Sequence, residues 1–442
     1  MEGQLRAILR QKMLDAQAQP IPAFTRRGVR VPAIPGKAIA ITGMRRTGKT
    51  TFLWQILSDR VAGGLPREAI LYFNFDDERL SDMSAADLFS LVEEYYQLHP
   101  DWRDARQATF LLDEIQMIPG WERFARRLLD TEKVELFISG SSARMLSREV
   151  ASSMRGRAME ARVFPFSFRE YLRHQGREPA SPDRLTKAAR SALMKDLRAY
   201  LVVGGFPEAQ GADTRDRMEL LRGYVDATLL RDVIERYAVS QPVALRHLTR
   251  HLLGSAAGLF SVHRYYNQLK SQGIPTSKDT LHAYLGHLED AFLVHSVWLA
   301  TDSERRRMSN PRKVYPADPG LIPIFDRSGR PQPGKALESA VLVELLRHGS
   351  EAGYVRTAEG FEVDFLVRRP EGKEQLIQVC AELDDKATRD REVRALLAAA
   401  KEHPRAHLAL VTMTSESARD IPPAIRIYDA ALWLLEPGLE QV

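Results

Sequence analysis

Gly43-Met44-Arg45-Arg46-Thr47-Gly48-Lys49-Thr50 sets two glycines five positions apart and closes on a lysine and a hydroxyl residue. Glycines at those positions let a short loop turn so that successive backbone N–H groups converge on one anion. Lysine adds a point charge for the outer phosphates of a nucleoside triphosphate, and the threonine hydroxyl is a hard oxygen ligand for Mg²⁺. The backbone of Met44, Arg45, Arg46, Thr47 and Thr51 would complete the cradle. Binding of a triphosphate is the chemistry this spacing suits.

A second chemical element lies sixty-four residues beyond Lys49, where Thr109-Phe110-Leu111-Leu112 closes on Asp113 and Glu114. Phosphoryl transfer to water needs a carboxylate near the metal and a base for the attacking water. Asp113, acting with Thr50, suits the first task and Glu114 the second. A later run, Val134-Glu135-Leu136-Phe137-Ile138, ends in Ser139-Gly140-Ser141-Ser142, whose hydroxyls at positions 139 or 142 suit a γ-phosphate contact or a helix cap.

Positioning these groups calls for strands that end at one edge. Ala38-Ile39-Ala40-Ile41 precedes the glycine loop as a buried strand, and Thr51-Phe52-Leu53-Trp54-Gln55-Ile56-Leu57 follows it with helical spacing. Ala69–Phe75 reads as a further strand. Short apolar strands alternating with helices predict a parallel sheet covered on both faces, with the ligand at the strand C-terminal ends.

With 442 residues, 44% hydrophobic and 27% charged, the chain is long enough for about three domains. It has no apolar run near the ~18 residues that span a membrane and no secretory h-region, so no membrane partner is expected. A single cysteine, Cys380, excludes an internal disulfide framework and fits a reducing cytoplasm. The net charge of +5 is concentrated in a basic arm, residues 1–36, able to touch nucleic acid, a neighbouring subunit or water.

The glycine loop, Leu112-Asp113-Glu114-Ile115-Gln116, Trp121, Ser139–Ala143, Arg155-Gly156-Arg157 and Pro165-Phe166-Ser167-Phe168-Arg169-Glu170-Tyr171-Leu172 together resemble a prokaryotic group of AAA-type ATPases. That group is related to archaeal and STAND ATPases and carries a C-terminal domain of unknown function. Gly204-Gly205-Phe206-Pro207-Glu208, Arg231-Asp232 and Leu288-Glu289-Asp290 extend the resemblance, which runs from about Ile34 to about Thr414. It implies an α/β P-loop NTPase core, an αβα sandwich over residues 37–172, with ATP and Mg²⁺ as ligands and a homo-oligomeric assembly. Arg155 or Arg157 would then be an arginine finger on a neighbour's γ-phosphate or a plain surface cation. A helical lid over 173–240 would follow, with Arg231 as a sensor or part of an ion-pair ladder.

Over residues 241–328 two helices meet across a Gly273-Ile274-Pro275 turn, and two strands bracket Arg305-Arg306-Arg307, followed by Arg312 and Lys313. The pattern reads as a winged helix with a basic wing. If it grips DNA, Lys278, with Ser277, Thr280 and His282, faces the groove, while Arg305, Arg306, Arg307 and Arg312 hold phosphates. A protein-binding module is the other reading. Residues 329–442 resemble the PD-(D/E)xK nuclease, a restriction-endonuclease-like α/β fold. Glu338 and Asp364 match its helix and strand acids, but Gln378 and Cys380 stand where the second strand acid and the lysine belong. Glu382 and Asp384 are out of register. A neutral amide is a poor Mg²⁺ ligand, so this domain is expected to be inactive. Three functions stay open: an ATP-driven conformational or oligomeric switch coupled to DNA, a nucleotide-gated scaffold with negligible turnover, and an ATP-dependent nuclease.

Overall fold

β1 (Ala38–Thr42) is buried along its whole length, as is β3 (Ala108–Asp113), while β2 (Ile70–Asn74) and β4 (Val134–Ser139) are each buried at all but one residue. Such continuous burial marks a parallel sheet with both faces covered. The computed structural model describes residues 2–103, 106–140, 154, 156–368, 373–415 and 420–436, in two units, 1–163 and 164–442. In the first unit the strand order is β2-β3-β4-β1-β5, with β5 at Ala158–Arg162, and every pairing is parallel. β4 is therefore inserted between β1 and β3. The C-terminal ends of these three strands, Thr42, Ser139 and Asp113, come side by side.

Helices α2 (Lys49–Ala62), α3 (Leu88–Leu98) and α4 (Trp121–Thr131) connect the strands. The basic N-terminal stretch is no free arm. Its first part is helix α1 (Glu2–Ala18), whose Leu9 and Met13 are fully buried with Leu71 and Phe73 of β2. Lys12 pairs with Asp77 at 2.5 Å and Arg6 with Glu94 at 3.3 Å. From Pro20 to Ile34 the chain has no regular helix or strand. It is tied to α2 by reciprocal bonds: the Arg27 N–H donates to Gln55 Oε1 (2.7 Å), and Gln55 Nε2 donates to the Arg27 carbonyl (3.1 Å).

The second unit begins with α5 (Phe168–His174), opened by a full capping box between Ser167 and Glu170. Helices α6 (Lys187–Val203) and α7 (Thr214–Ala227) follow, and α7 runs into a π-helical turn over Thr228–Ile234. Arg231 lies exposed on that turn, 3.3 Å from Glu235. At the break after α6, Gly204 adopts φ 79° and packs so closely on Asp318 that a Cβ would lie 1.8 Å from Asp318 Oδ1.

Helix α8 (Pro242–Gly254) precedes β6 (Gly258–Phe260), α9 (Val262–Ser271) and α10 (Lys278–Asp290), the last capped by Ser277. β7 (Val294–Leu299) and β8 (Arg312–Pro316) follow. Between them Arg305, Arg306 and Arg307, read from the sequence as a basic wing, stand on a short helix, α11 (Glu304–Ser309). Ser303 caps it, its hydroxyl accepting from the Arg306 N–H.

α12 (Pro333–Arg347), β9 (Glu351–Arg356), β10 (Glu362–Arg368), β11 (Glu374–Cys380), α13 (Lys386–Glu402), β12 (Ala406–Thr412), β13 (Ile425–Asp429) and α14 (Ala430–Leu435) complete the unit. The strands read as two separate modules form one eight-stranded sheet, β13-β12-β11-β10-β9-β7-β8-β6. Its seam is the parallel pairing of Trp298 with Gly353 and Leu299 with Tyr354. Gly353 permits the seam: a Cβ there would lie 3.0 Å from that of Ala300.

Candidate active site

The glycine loop leaves β1 at Gly43, where φ is 142° and an added Cβ would lie 2.2 Å from the Val163 carbonyl oxygen. Only glycine passes so close to the end of β5. Arg46 (φ 67°) and Gly48 (φ 94°) complete the turn in left-handed conformations. α2 then starts without a side-chain cap, and an uncapped helix start favours an anion. Lys49 is buried, and its Nζ donates to the carbonyls of Gly43 and Met44, each at 2.9 Å. Thr47 Oγ1 also donates to the Met44 carbonyl (2.9 Å), and Arg27 Nη1 braces the loop from outside through the Thr47 carbonyl (2.8 Å).

Asp113 is fully buried at the end of β3. Its Oδ1 accepts from Ser139 Oγ, and its Oδ2 accepts from Tyr72 Oη (3.1 Å) and Asn74 Nδ2 (3.5 Å). The Thr50 hydroxyl lies near enough to favour Asp113 in its charged form. Burial raises its pKa, the nearby Glu114 charge adds to the rise, and the Ser139, Thr50 and Tyr72 hydroxyls oppose it. Burial and the same carboxylate drive the Tyr72 phenol well above its ordinary range. Glu114 follows with a left-handed backbone (φ 55°), costly for a side chain that is not glycine. Its N–H donates to Ser139 Oγ (3.2 Å), and its half-exposed carboxylate accepts from the Gln116 amide.

Thr50 is exposed and borders a cavity of about 430 Å³ that Lys12, Trp54, Tyr72, Asn74 and Arg79 also line. The Thr50 hydroxyl and the nearby Asp113 carboxylate are hard oxygen donors, a set that fits Mg²⁺. Of the hydroxyls weighed for a phosphate contact, Ser139 is engaged with Asp113, and Ser142 lies outside the described residues. Arg155 lies outside them too. Arg157 is half-exposed and ion-paired with Asp130. The sequence reading missed Tyr72 and Asn74. Their signal, a polar residue at the end of β2, acquires meaning only through the register that sets Asn74 opposite Asp113.

The basic residues of the second unit do not act alike. Arg305, Arg306 and Arg307 are exposed along α11, with Arg307 5.5 Å from the centre of the Trp298 ring. Lys278 is exposed beside Tyr266. Arg312 departs from this group: it lies 3.7 Å from the Trp298 ring centre and 3.6 Å from Glu289, and burial lowers its pKa. Glu338 and Asp364 come together, while Glu382 and Asp384 point to solvent.

Residues 35–172 match the AAA domain, and residues 194–328 match a domain of unknown function. An uncharacterized protein of Methanocaldococcus jannaschii, MJ1544, is 32% identical over 380 residues, 85% of this chain and 81% of that protein. The chain belongs to this family of AAA-domain proteins. A Haemophilus influenzae relative, also uncharacterized, is 29% identical over 74% of this chain and 79% of its own. Among solved structures, the Walker-type ATPase PABY2304 of Pyrococcus abyssi superposes with a TM-score of 0.42 at 14% identity, covering 72% of this chain and 95% of that one. For AMPPCP-bound DnaA of Aquifex aeolicus the TM-score is 0.24 at 15% identity, with coverages of 63% and 86%. The AAA match spans the sheet, the glycine loop and Asp113, so these belong to a nucleotide-binding P-loop ATPase domain.

Proposed function

We propose that the chain binds Mg²⁺-ATP at the Lys49 loop and hydrolyses it, driving a conformational or oligomeric switch. The observation that supports this is the convergence of the loop, Thr50, Ser139 and Asp113 at the ends of three adjacent parallel strands. Lys49 would exchange its loop carbonyls for β- and γ-phosphate oxygens. Thr50 and Asp113 would hold the metal, with Ser139 keeping Asp113 oriented. Bound Mg²⁺ supplies charge for the phosphoryl oxygens. Glu114, just beyond the strand end, takes a proton from the attacking water, and Ser139 steadies its backbone. Arg155 or Arg157 would add positive charge from a neighbouring subunit. Glu114→Gln is expected to keep ATP binding while phosphate release falls by about 10²-fold or more. Unchanged turnover in that variant would overturn the assignment of the base.

The same proposal couples the switch to DNA through α11 and Lys278, because three consecutive arginines and that lysine are exposed there. Each phosphate contact steepens the salt dependence of binding by about 0.9 in log–log slope. Replacing Arg305, Arg306 and Arg307 with alanine should flatten the slope by about 2–3, measured by fluorescence anisotropy on duplex DNA. An identical slope would remove α11 from the interface.

A further inference from the structure

Lys313, on β8, is 3% exposed, and its ammonium is ringed by carboxylates from two other elements. Nζ lies 2.8 Å from Glu338 Oε1 on α12, 2.8 Å from Asp364 Oδ1 and 3.1 Å from Glu362 Oε1, both on β10. Tyr315, on the same face of β8, donates its hydroxyl to Glu338 Oε1 at 2.7 Å. The second oxygen of Asp364 accepts the Val379 N–H at 3.0 Å. Gln378, in the place of a strand acid, accepts the Asp364 N–H at 3.3 Å and donates to Glu392 at 2.7 Å.

The nuclease fold that this region resembles would hold a divalent metal between the positions of Glu338 and Asp364. The residues present do not fit that ion. An ammonium already sits within ion-pair distance of both acids and would repel a dication, and Gln378 brings no charge. Burial, and then the Asp364 charge, push the Glu338 pKa up, while the Lys313 ammonium and its hydrogen bond pull it down. Burial works against the Lys313 charge, but Asp364, Glu338 and Glu362 outweigh it and keep the ammonium protonated far above neutrality.

We propose that Lys313 is the resident cation of a carboxylate cage formed by Glu338, Glu362 and Asp364, standing where a divalent metal would stand. The domain then cuts no phosphodiester, and the ammonium clamps β8 onto β10 and α12. Removing the ammonium, with the three acids left in place, opens the cage to a divalent or trivalent ion.

Terbium is the probe, since Tyr315 lies beside the cage to sensitise its luminescence. The test uses the full chain without nucleotide. Tyr72 beside Asp113 gives its own signal, which comparison with Asp364→Asn subtracts. The wild-type chain should show no terbium signal that Asp364→Asn removes. Lys313→Met should gain a saturable signal, competed by Mn²⁺ and lost in the Lys313→Met/Asp364→Asn double variant. Three results would overturn the proposal: an Asp364-dependent signal in the wild type, none in a folded Lys313→Met chain, or Mn²⁺-dependent plasmid cleavage that Asp364→Asn abolishes. If Lys313→Met does not fold, reductive methylation of the wild type read by mass spectrometry decides. Lys313 should stay unmodified while Lys278 reacts, and equal reaction of the two would refute the resident cation.

Discussion

Gly43 shows how a single residue type can be demanded by its surroundings. Its φ of 142° and the Val163 carbonyl, 2.2 Å from where a Cβ would stand, leave no room for a methyl group. The neighbour is backbone, so relief requires moving the end of β5 or the loop itself. Gly43→Ala is expected to destabilise the first unit by about 1–3 kcal/mol and to weaken ATP binding, read by thermal unfolding with and without nucleotide. A normal melt with normal nucleotide stabilisation would show that the loop tolerates the displacement. Glu114 carries comparable strain at φ 55°. There the left-handed backbone leaves its N–H on Ser139 and its carboxylate half-exposed, two features the proposed base needs.

Between elements, Asp318 joins the end of α6 to the turn after β8. It is buried, accepts from the Gly205 N–H (2.6 Å) and the Gly320 N–H (2.9 Å), and has no direct cationic partner among the described contacts. Burial raises its pKa to about 7, against the two N–H bonds and the more distant Arg347 charge. The sign follows from proton binding. A carboxyl with a raised folded pKa takes up protons in the folded state between its unfolded value of 3.8 and about 7. Its contribution is therefore fully present below the lower value and lost as pH rises through the upper one. Asp318→Asn lacks this titration and should be less stable than wild type at low pH, because its amide cannot accept both N–H groups. The gap should narrow as pH rises through that window, measured by urea unfolding at several pH values. A gap that widens or stays constant would show that Asp318 is not protonated on folding.

On the scale of the second unit, a continuous sheet takes the place of two modules. β7 pairs with β9 as well as β8, and Val297, Tyr315, Leu337, Tyr354 and Phe365 share one buried cluster. Cutting the chain near residue 330 would expose the β7 edge and halve that cluster, and an unpaired strand edge of this kind invites aggregation. A chain ending at residue 328 is thus expected to be insoluble or protease-sensitive along its second unit, although the exposed segment around Arg330 looks like a linker. Recovery of a soluble, protease-resistant 1–328 fragment would show that the strands of residues 241–328 form a domain of their own.

The features legible in the residues alone were local: a buried run, a glycine turn and a helix start that must be contiguous to work, and an apolar strand that must end in Asp113. The Ser277 cap of α10 is equally local, because a cap acts within its own turn. Which distant segments meet depended on the folded chain. The insertion of β4 between β1 and β3 delivers Ser139 to Asp113, and strand register delivers Tyr72 and Asn74, none of which local spacing encodes. Lys313 makes the same point in reverse. Beside Arg312 and after three arginines it reads as part of a basic surface, yet pairing of β8 within the long sheet turns it inward onto acids far away in sequence. Short-range patterns specify chemistry that a loop can hold alone, whereas burial and charge pairing depend on neighbours that only the folded chain supplies.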